Sequence, residues 1–286
     1  MERRVRILVG GDIIFSKGVR QIAQARGIGY LFEKVAPLLR SVDGTILNME
    51  GCISTRGAPL EKEYTFRAPP ELAPHLRLAG VSMVSLGNNH SVDYGRFALL
   101  DTMEHLWRAG VAWAGAGVHR NAAAQPVYVD FGGLRVAIFC FTAVVPRGFP
   151  AGDKTPGVAI LNDILPLLPE ARQNADVLIV IPHWGDEGKT QPNAKQKRIA
   201  RALAKAGVDV IVGHHPHVVQ TYERIGKTHV FYSTGNFIHT PRSKLSRQGA
   251  LLQVEIAVQG VQTLHSIPLW LEGGRPLPRL QHTNRL

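Results

Sequence analysis

The segment Gly213-His214-His215-Pro216-His217 places three imidazoles close together in the chain. Imidazole nitrogens, combined with carboxylate and amide oxygens, suit zinc, manganese or iron(II). Such oxygens and further imidazoles recur elsewhere: Asp12, Asn48 with Glu50, Asn88 with Asn89 and His90, and His183. Each group has a plainer explanation when taken alone. A histidine after a strand is most often a satisfied core or surface residue, an aspartate there caps a helix or forms a turn, and Asn-Asn is turn chemistry. Their shared placement is what argues for one metal centre. Of His214 and His215, the second is the better partner for His217, because His-x-His in an extended turn brings both rings near one point.

The placement is set by apolar runs of strand length. Residues 5–9 lead into Gly10-Gly11-Asp12, 44–47 into Asn48-Met49-Glu50-Gly51, and 81–86 into Gly87-Asn88-Asn89-His90. Residues 177–181 lead into Pro182-His183-Trp184-Gly185, 208–212 into the histidine segment, and 229–233 into Thr234-Gly235-Asn236-Phe237. In an α/β sheet the carboxyl ends of the strands share an edge where ligands bind, so these turns would converge. Several runs are continuous Val/Ile, as in strands buried on both faces. Helical patterns at 30–39, 96–109 and 195–206 lie between them. The last two end at Gly110 and Gly207, where a left-handed cap residue is expected. Runs at 127–131 and 134–141 flank Gly132-Gly133, a hairpin signal, and 251–258 is a late strand. A single domain is expected over 1–272 and a poorly ordered tail over 273–286.

Composition narrows the function classes. A net charge of +11 favours polyanionic partners, yet no Lys/Arg run with interleaved aromatics marks a nucleic-acid surface. Cys52 and Cys140 lack a Cys-x-x-Cys spacing, which argues against a thiolate metal site. Gly10-Gly11 is followed by no Gly-Lys-Ser/Thr, and Ser16, Ser54, Ser85 and Ser91 stand in no nucleophile elbow. No apolar run reaches the roughly 18 residues of a membrane-spanning helix, and Met1-Glu2-Arg3-Arg4 opens straight into a strand. Taken at face value, the sequence reads as a soluble, cytoplasmic protein; a further segment before Met1 would make it extracytoplasmic and membrane-attached.

Together, Asn48-Met49-Glu50-Gly51, Asn88-Asn89-His90 with Asp93-Tyr94-Gly95, His183-Trp184-Gly185, the 213–217 segment and Ser233-Thr234-Gly235-Asn236-Phe237 resemble the CapA-type proteins of capsule and poly-γ-glutamate synthesis. Order and spacing match over roughly residues 5–258. The resemblance implies an α/β fold of the calcineurin-like metallophosphoesterase kind: a four-layer sandwich of two mixed β-sheets flanked by helices. It implies one or two divalent ions (Mn, Zn, Fe or Mg), with Asp12 and His217 on the first, Glu50 bridging, and Asn89, His183 and His215 on the second. His90 would then be a proton donor or transition-state stabiliser beside the leaving group. Asp93 would orient it, or else cap a helix. Arg67 is a candidate to bind an anionic substrate group, against a plain surface ion pair. Asn48 and Glu187 are further candidates at the substrate; for Glu187 the alternatives are support behind the ligands or a solvated side chain.

The sequence departs from the phosphoesterase pattern at three points. Asp12-Ile13-Ile14 stands where Asp-x-His is usual, the bridging position is Glu50 rather than Asp, and Ser91 follows His90 where an acid is common. The first ion would keep Asp12, Glu50 and His217 as its only protein ligands. Three functions follow as expectations. One is a component of capsule or poly-γ-glutamate assembly, acting on an anionic polymer and associated with a membrane-bound synthase complex. The second is a phosphoesterase for a small or nucleotide phosphate ester. The third is a non-catalytic module in which a metal staples the turns together.

Overall fold

The computed structural model describes residues 4–241 and 243–286. Two mixed sheets stack face to face. The first runs in the order Arg275–Pro278, Gly260–Glu272, Gln248–Ala257, Val5–Ile13, Gly44–Met49, Met83–Ser85, Ala112–Ala114. Asn236–Ile238 pairs with the end of Val5–Ile13, and Asn284–Arg285 with Gly260–Glu272. The second sheet runs Tyr222–Ile225, Thr228–Phe231, Val210–Val212, Val177–His183, Arg135–Thr142, Val127–Asp130.

Side-chain alternation sorts the core into three layers. Val5, Ile7, Val9 and Ile46 of the first sheet meet Val136, Ile138, Ile179 and Val212 of the second. On the opposite face of the first sheet, Leu8, Leu47 and Val84 pack under helices Lys17–Arg26, Leu72–Ala79 and Arg96–Arg108. Phe139, Leu178 and Ile211 lie under Leu168–Asn174 and Ala194–Lys205 on the far side. The result is helix, sheet, sheet, helix, the four-layer α/β arrangement anticipated from the resemblance.

Most strand and helix positions follow the sequence pattern. Helices Arg96–Arg108 and Ala194–Lys205 are followed by Gly110 and Gly207 at φ +68° and +84°, the left-handed geometry expected there. Residues 30–39 do not form one helix. They contribute to a 3₁₀ turn, Ile28–Leu31, and a short helix, Ala36–Leu39, with Pro37 in its first turn, where its missing N–H costs nothing.

Within residues 273–286, expected to be loosely ordered, Arg275–Pro278 and Asn284–Arg285 pair with Gly260–Glu272, with a 3₁₀ turn at Leu280–His282 between them. Gly273 and Gly274, at φ +58° and +75°, make a two-residue turn that folds Arg275–Pro278 back onto Gly260–Glu272, with Glu272 opposite Arg275. Pro276 and Pro278 are tolerated because this strand is at the sheet's edge, where an N–H is dispensable. Among the described residues no helix is long and apolar enough to cross a membrane.

Candidate metal centre

The first ligand is aimed by a bulge. Along Val5–Ile13, Val9 pairs with Ile46, but the next paired residue is Asp12, opposite Asn48. The chain thus spends one extra residue at Gly10-Gly11. Without it, Asp12 would follow Leu8 onto the helix side. With it, Ile13 takes that side and Asp12 turns the other way, beside Asn48. The glycines are required by space: a Cβ on Gly11 would come 2.0 Å from the Gly235 carbonyl oxygen. The Glu50 N–H donates to the Ile13 carbonyl at 3.0 Å, which fixes the turn after Gly44–Met49.

Glu50 is the focus of the site. Its Oε1 lies 3.6 Å from Nε2 of His183, 3.6 Å from Nε2 of His217 and 3.9 Å from Nε2 of His90. The residue has no solvent exposure, and neither carboxylate oxygen has a hydrogen-bond partner among the described residues. A buried carboxylate left in that state is costly, and a cation is what relieves it. Two groups of donor atoms fit one, each with all atoms within 4.8 Å of one another: Glu50, His215 and His217, and Asp12, Glu50 and His183.

Four of the donors are also closed onto each other by hydrogen bonds. His217 Nδ1 lies 3.1 Å from Asp12 Oδ2, and His183 Nε2 lies 2.7 Å from Asn89 Oδ1. A divalent ion would take the place of the protons in those bonds with the same atoms. Asp12, Glu50, Asn89, His183, His215 and His217 are therefore brought together, as the sequence suggested. His214 is not in these groups. Its Nε2 donates to the Gly10 carbonyl at 2.6 Å, tying the histidine turn to the bulge. His215 and His217 have φ of +98° and +56°, the non-glycine residues with positive φ among those described. Such strain persists only where surrounding structure enforces it, and it concentrates at functional sites.

Electrostatics favours lone pairs over charge. Burial drives His183 well below the usual histidine range and His215 down to about 4, and neighbouring imidazoles add to both effects. Burial also pushes Glu50 well above the usual carboxylate range. His217 goes the other way. Burial would depress it, but the Glu50 charge and the hydrogen bond to Asp12 lift it to about 9. Asp12, despite the opposing effect of burial, is held low by His217, His214 and Asn48.

His90 presents Nε2 towards Glu50 while its Nδ1 lies 2.7 Å from Asp93 Oδ2. Asp93 thus orients His90; the cap of the following helix is Gly95, not Asp93. Asp93 is itself held by Lys62, whose Nζ lies 2.5 Å from Oδ1 and also donates to the Asn89 carbonyl at 2.8 Å. The Phe66 N–H donates to Asp93 Oδ2, and the Phe66 ring packs 4.5 Å from His90. Lys62 had no signal in the sequence: it is one lysine in a polar loop, without spacing to any motif.

The three substrate candidates fall in different places. Asn48 is fully buried and spends its amide on Asp12 Oδ1, at 2.8 Å, and on Asn88. It positions a ligand and has no face open to substrate. Arg67 stacks on Tyr94, its guanidinium carbon 4.2 Å from the ring centre, and lines a cavity with Arg20, Thr55 and Phe15 that includes none of the clustered donors. Glu187 is exposed, near enough that its charge acts on Glu50 and His217.

The family model of the bacterial capsule synthesis protein PGA_cap matches residues 6–241. The chain belongs to the PGA_cap family. The PGA biosynthesis protein CapA of Bacillus subtilis (strain 168) is 31% identical over 273 residues, covering 94% of this chain and 72% of that protein. The capsule biosynthesis protein CapA of Bacillus anthracis is 31% identical over 278 residues, covering 94% and 68%. Among solved structures, a phosphatase from Mycoplasma pneumoniae superposes with a TM-score of 0.62 at 17% identity, covering 94% of this chain and 95% of that one. That likeness is one of fold. This PGA_cap chain has the architecture of the calcineurin-like metallophosphoesterases, with the Asp12–His217 cluster at the carboxyl ends of its strands.

Proposed function

We propose that this chain is a metal-dependent hydrolytic component in the synthesis of an anionic capsule polymer of the poly-γ-glutamate kind. The observation that carries the reading is Glu50, a buried carboxylate with no hydrogen bond, ringed by His183, His217 and His90. As the resemblance implies, Asp12, Glu50 and His217 would hold one divalent ion, and Glu50, Asn89, His183 and His215 a second; the two tight triads, Glu50–His215–His217 and Asp12–Glu50–His183, divide the same donors differently. Such ions supply Lewis acidity and positive charge against the charge that builds on a scissile phosphoryl or acyl oxygen. His90, oriented by Asp93 and Lys62, carries or receives a proton at Nε2 beside the departing group. Family membership and the basic balance of the chain support an anionic polymer as the partner. A membrane-bound synthase as the larger assembly is part of the same proposal.

The test has two parts. Elemental analysis of the purified chain is expected to find bound divalent metal. Manganese- or zinc-loaded protein is then assayed on phosphomonoesters, phosphodiesters and γ-linked glutamate oligomers, alongside His90→Ala. Turnover that His90→Ala cuts at least a hundredfold supports a hydrolytic site. A metal-loaded chain that turns over none of these, yet binds γ-glutamate oligomer at low salt, would show that the ion only staples the turns. That second reading has its own observation, since Ile14 is buried at the place where a further histidine ligand is usual.

A further inference from the structure

We infer that His239 supplies the imidazole that the first metal position lacks at residue 14, completing a donor set of Asp12, Glu50, His217 and His239. The inference rests on the metal-centre reading above. It starts from strand register. Asn236–Ile238 runs parallel to Val5–Ile13, with Asp12 beside Asn236 and Ile13 beside Ile238. The Ile14 N–H donates to the Ile238 carbonyl at 2.8 Å. Ile13 and Ile238 both point into the core beneath the helices. The next residue on each strand, Ile14 and His239, therefore leaves that face. His239 is in effect the neighbour of Ile14 on the adjoining strand.

Two further observations leave His239 available to a ligand. Its Nδ1 is buried and has no hydrogen-bond partner among the described residues, a state that buried imidazole nitrogens rarely keep. The ring is also close enough to Asp12 and His217 to feel both charges. It stands outside the two tight donor groups, so closing on an ion requires a change of side-chain rotamer. A compensating ligand from the adjacent strand explains how Ile14 can be apolar while Asp12 and His217 remain in place.

The experiment is a metal-binding measurement on the full chain, stripped with chelator and titrated with cobalt(II) and manganese(II). Visible absorption and calorimetry read the sites, and elemental analysis reads stoichiometry. His239→Ala is expected to weaken the first metal position at least about tenfold, the lower end of what even supporting residues contribute. His239→Asp, which keeps a donor atom, retains binding that His239→Ala and His239→Leu lose. Ile14→His placed on His239→Ala restores affinity. Equal affinity and cobalt spectra for wild type, His239→Ala and His239→Leu would overturn the inference while leaving the metal centre standing. A wild-type chain that binds neither metal overturns both.

Discussion

Glu50→Gln is the sharpest perturbation of the site, because it keeps the shape of Glu50 and removes the charge. In the metal-free chain the carboxylate makes no hydrogen bond, so the substitution breaks none. Burial raises this group well above the carboxylate range while the His217 charge beside it works the other way, so glutamine stands for the neutral form of this pair. Glutamine removes the charge but leaves a buried polar amide in the same place, so the change in the metal-free chain is bounded by about 1–3 kcal/mol and the variant should lie close to wild type in stability. With an ion present the two separate. An ion at a hundred times its Kd stabilises the wild type by about 2.7 kcal/mol, or roughly 5 °C in Tm for a domain of this size. Glu50→Gln should lose most of that increment. Thermal unfolding of both proteins, in chelator and in manganese, measures all four states. A metal-free variant that melts well below wild type would mean that the carboxylate is bonded after all. A variant that keeps the full ion-induced rise would remove Glu50 from the ligands. Either result refutes the reasoning.

Lys62→Met leaves Asp93, which is fully buried, with the Phe66 N–H and His90 as its remaining partners. Breaking such a pair, with lysine partly exposed, should cost about 1–3 kcal/mol in urea unfolding and leave metal stoichiometry intact; a neutral result would make Lys62 a bystander. The metal-free chain should also have a stability optimum near pH 6.5. His215, depressed to about 4, contributes stability above 6.5 that is lost as pH falls towards 4. His217, raised to about 9, contributes stability below 6.5 that is lost as pH rises towards 9. Each limb is worth about 2–3 kcal/mol, and unfolding free energies in chelator that stay flat from pH 4.5 to 9 would contradict it.

The placement of these residues was legible because strand ends carry them: Asp12, Glu50, His183 and His217 each follow an apolar run of strand length. The paired sheets came with the resemblance, and the core alternation of Val5, Ile7 and Val9 bears them out. What could not be read was long-range partnership. Asn48 gave no sign that its amide would be spent on Asp12, since that contact depends on the register of two strands. Lys62 reaches Asp93 through a loop whose path no local pattern encodes. Arg67, read as a binder of an anionic substrate group or a surface ion pair, stacks on Tyr94, a neighbour only in the folded chain. Gly273-Gly274 was the missed signal: a tight-turn pair after an alternating stretch announces a hairpin, not a loose end.

The bulge at Gly10-Gly11 makes chain length in that strand a matter of parity. Side chains on a strand change faces one residue at a time, so Asp12 can be moved only in whole steps. Straightening the strand at its present length would not shift the acid by a fraction of an ångström. It would turn Asp12 into the greasy helix layer and send Ile13 among the histidines. This centre can therefore be adjusted by exchanging side chains, as at Ile14, whereas the number of residues between Val9 and Asp12 and the bulge that absorbs the odd one can change only together.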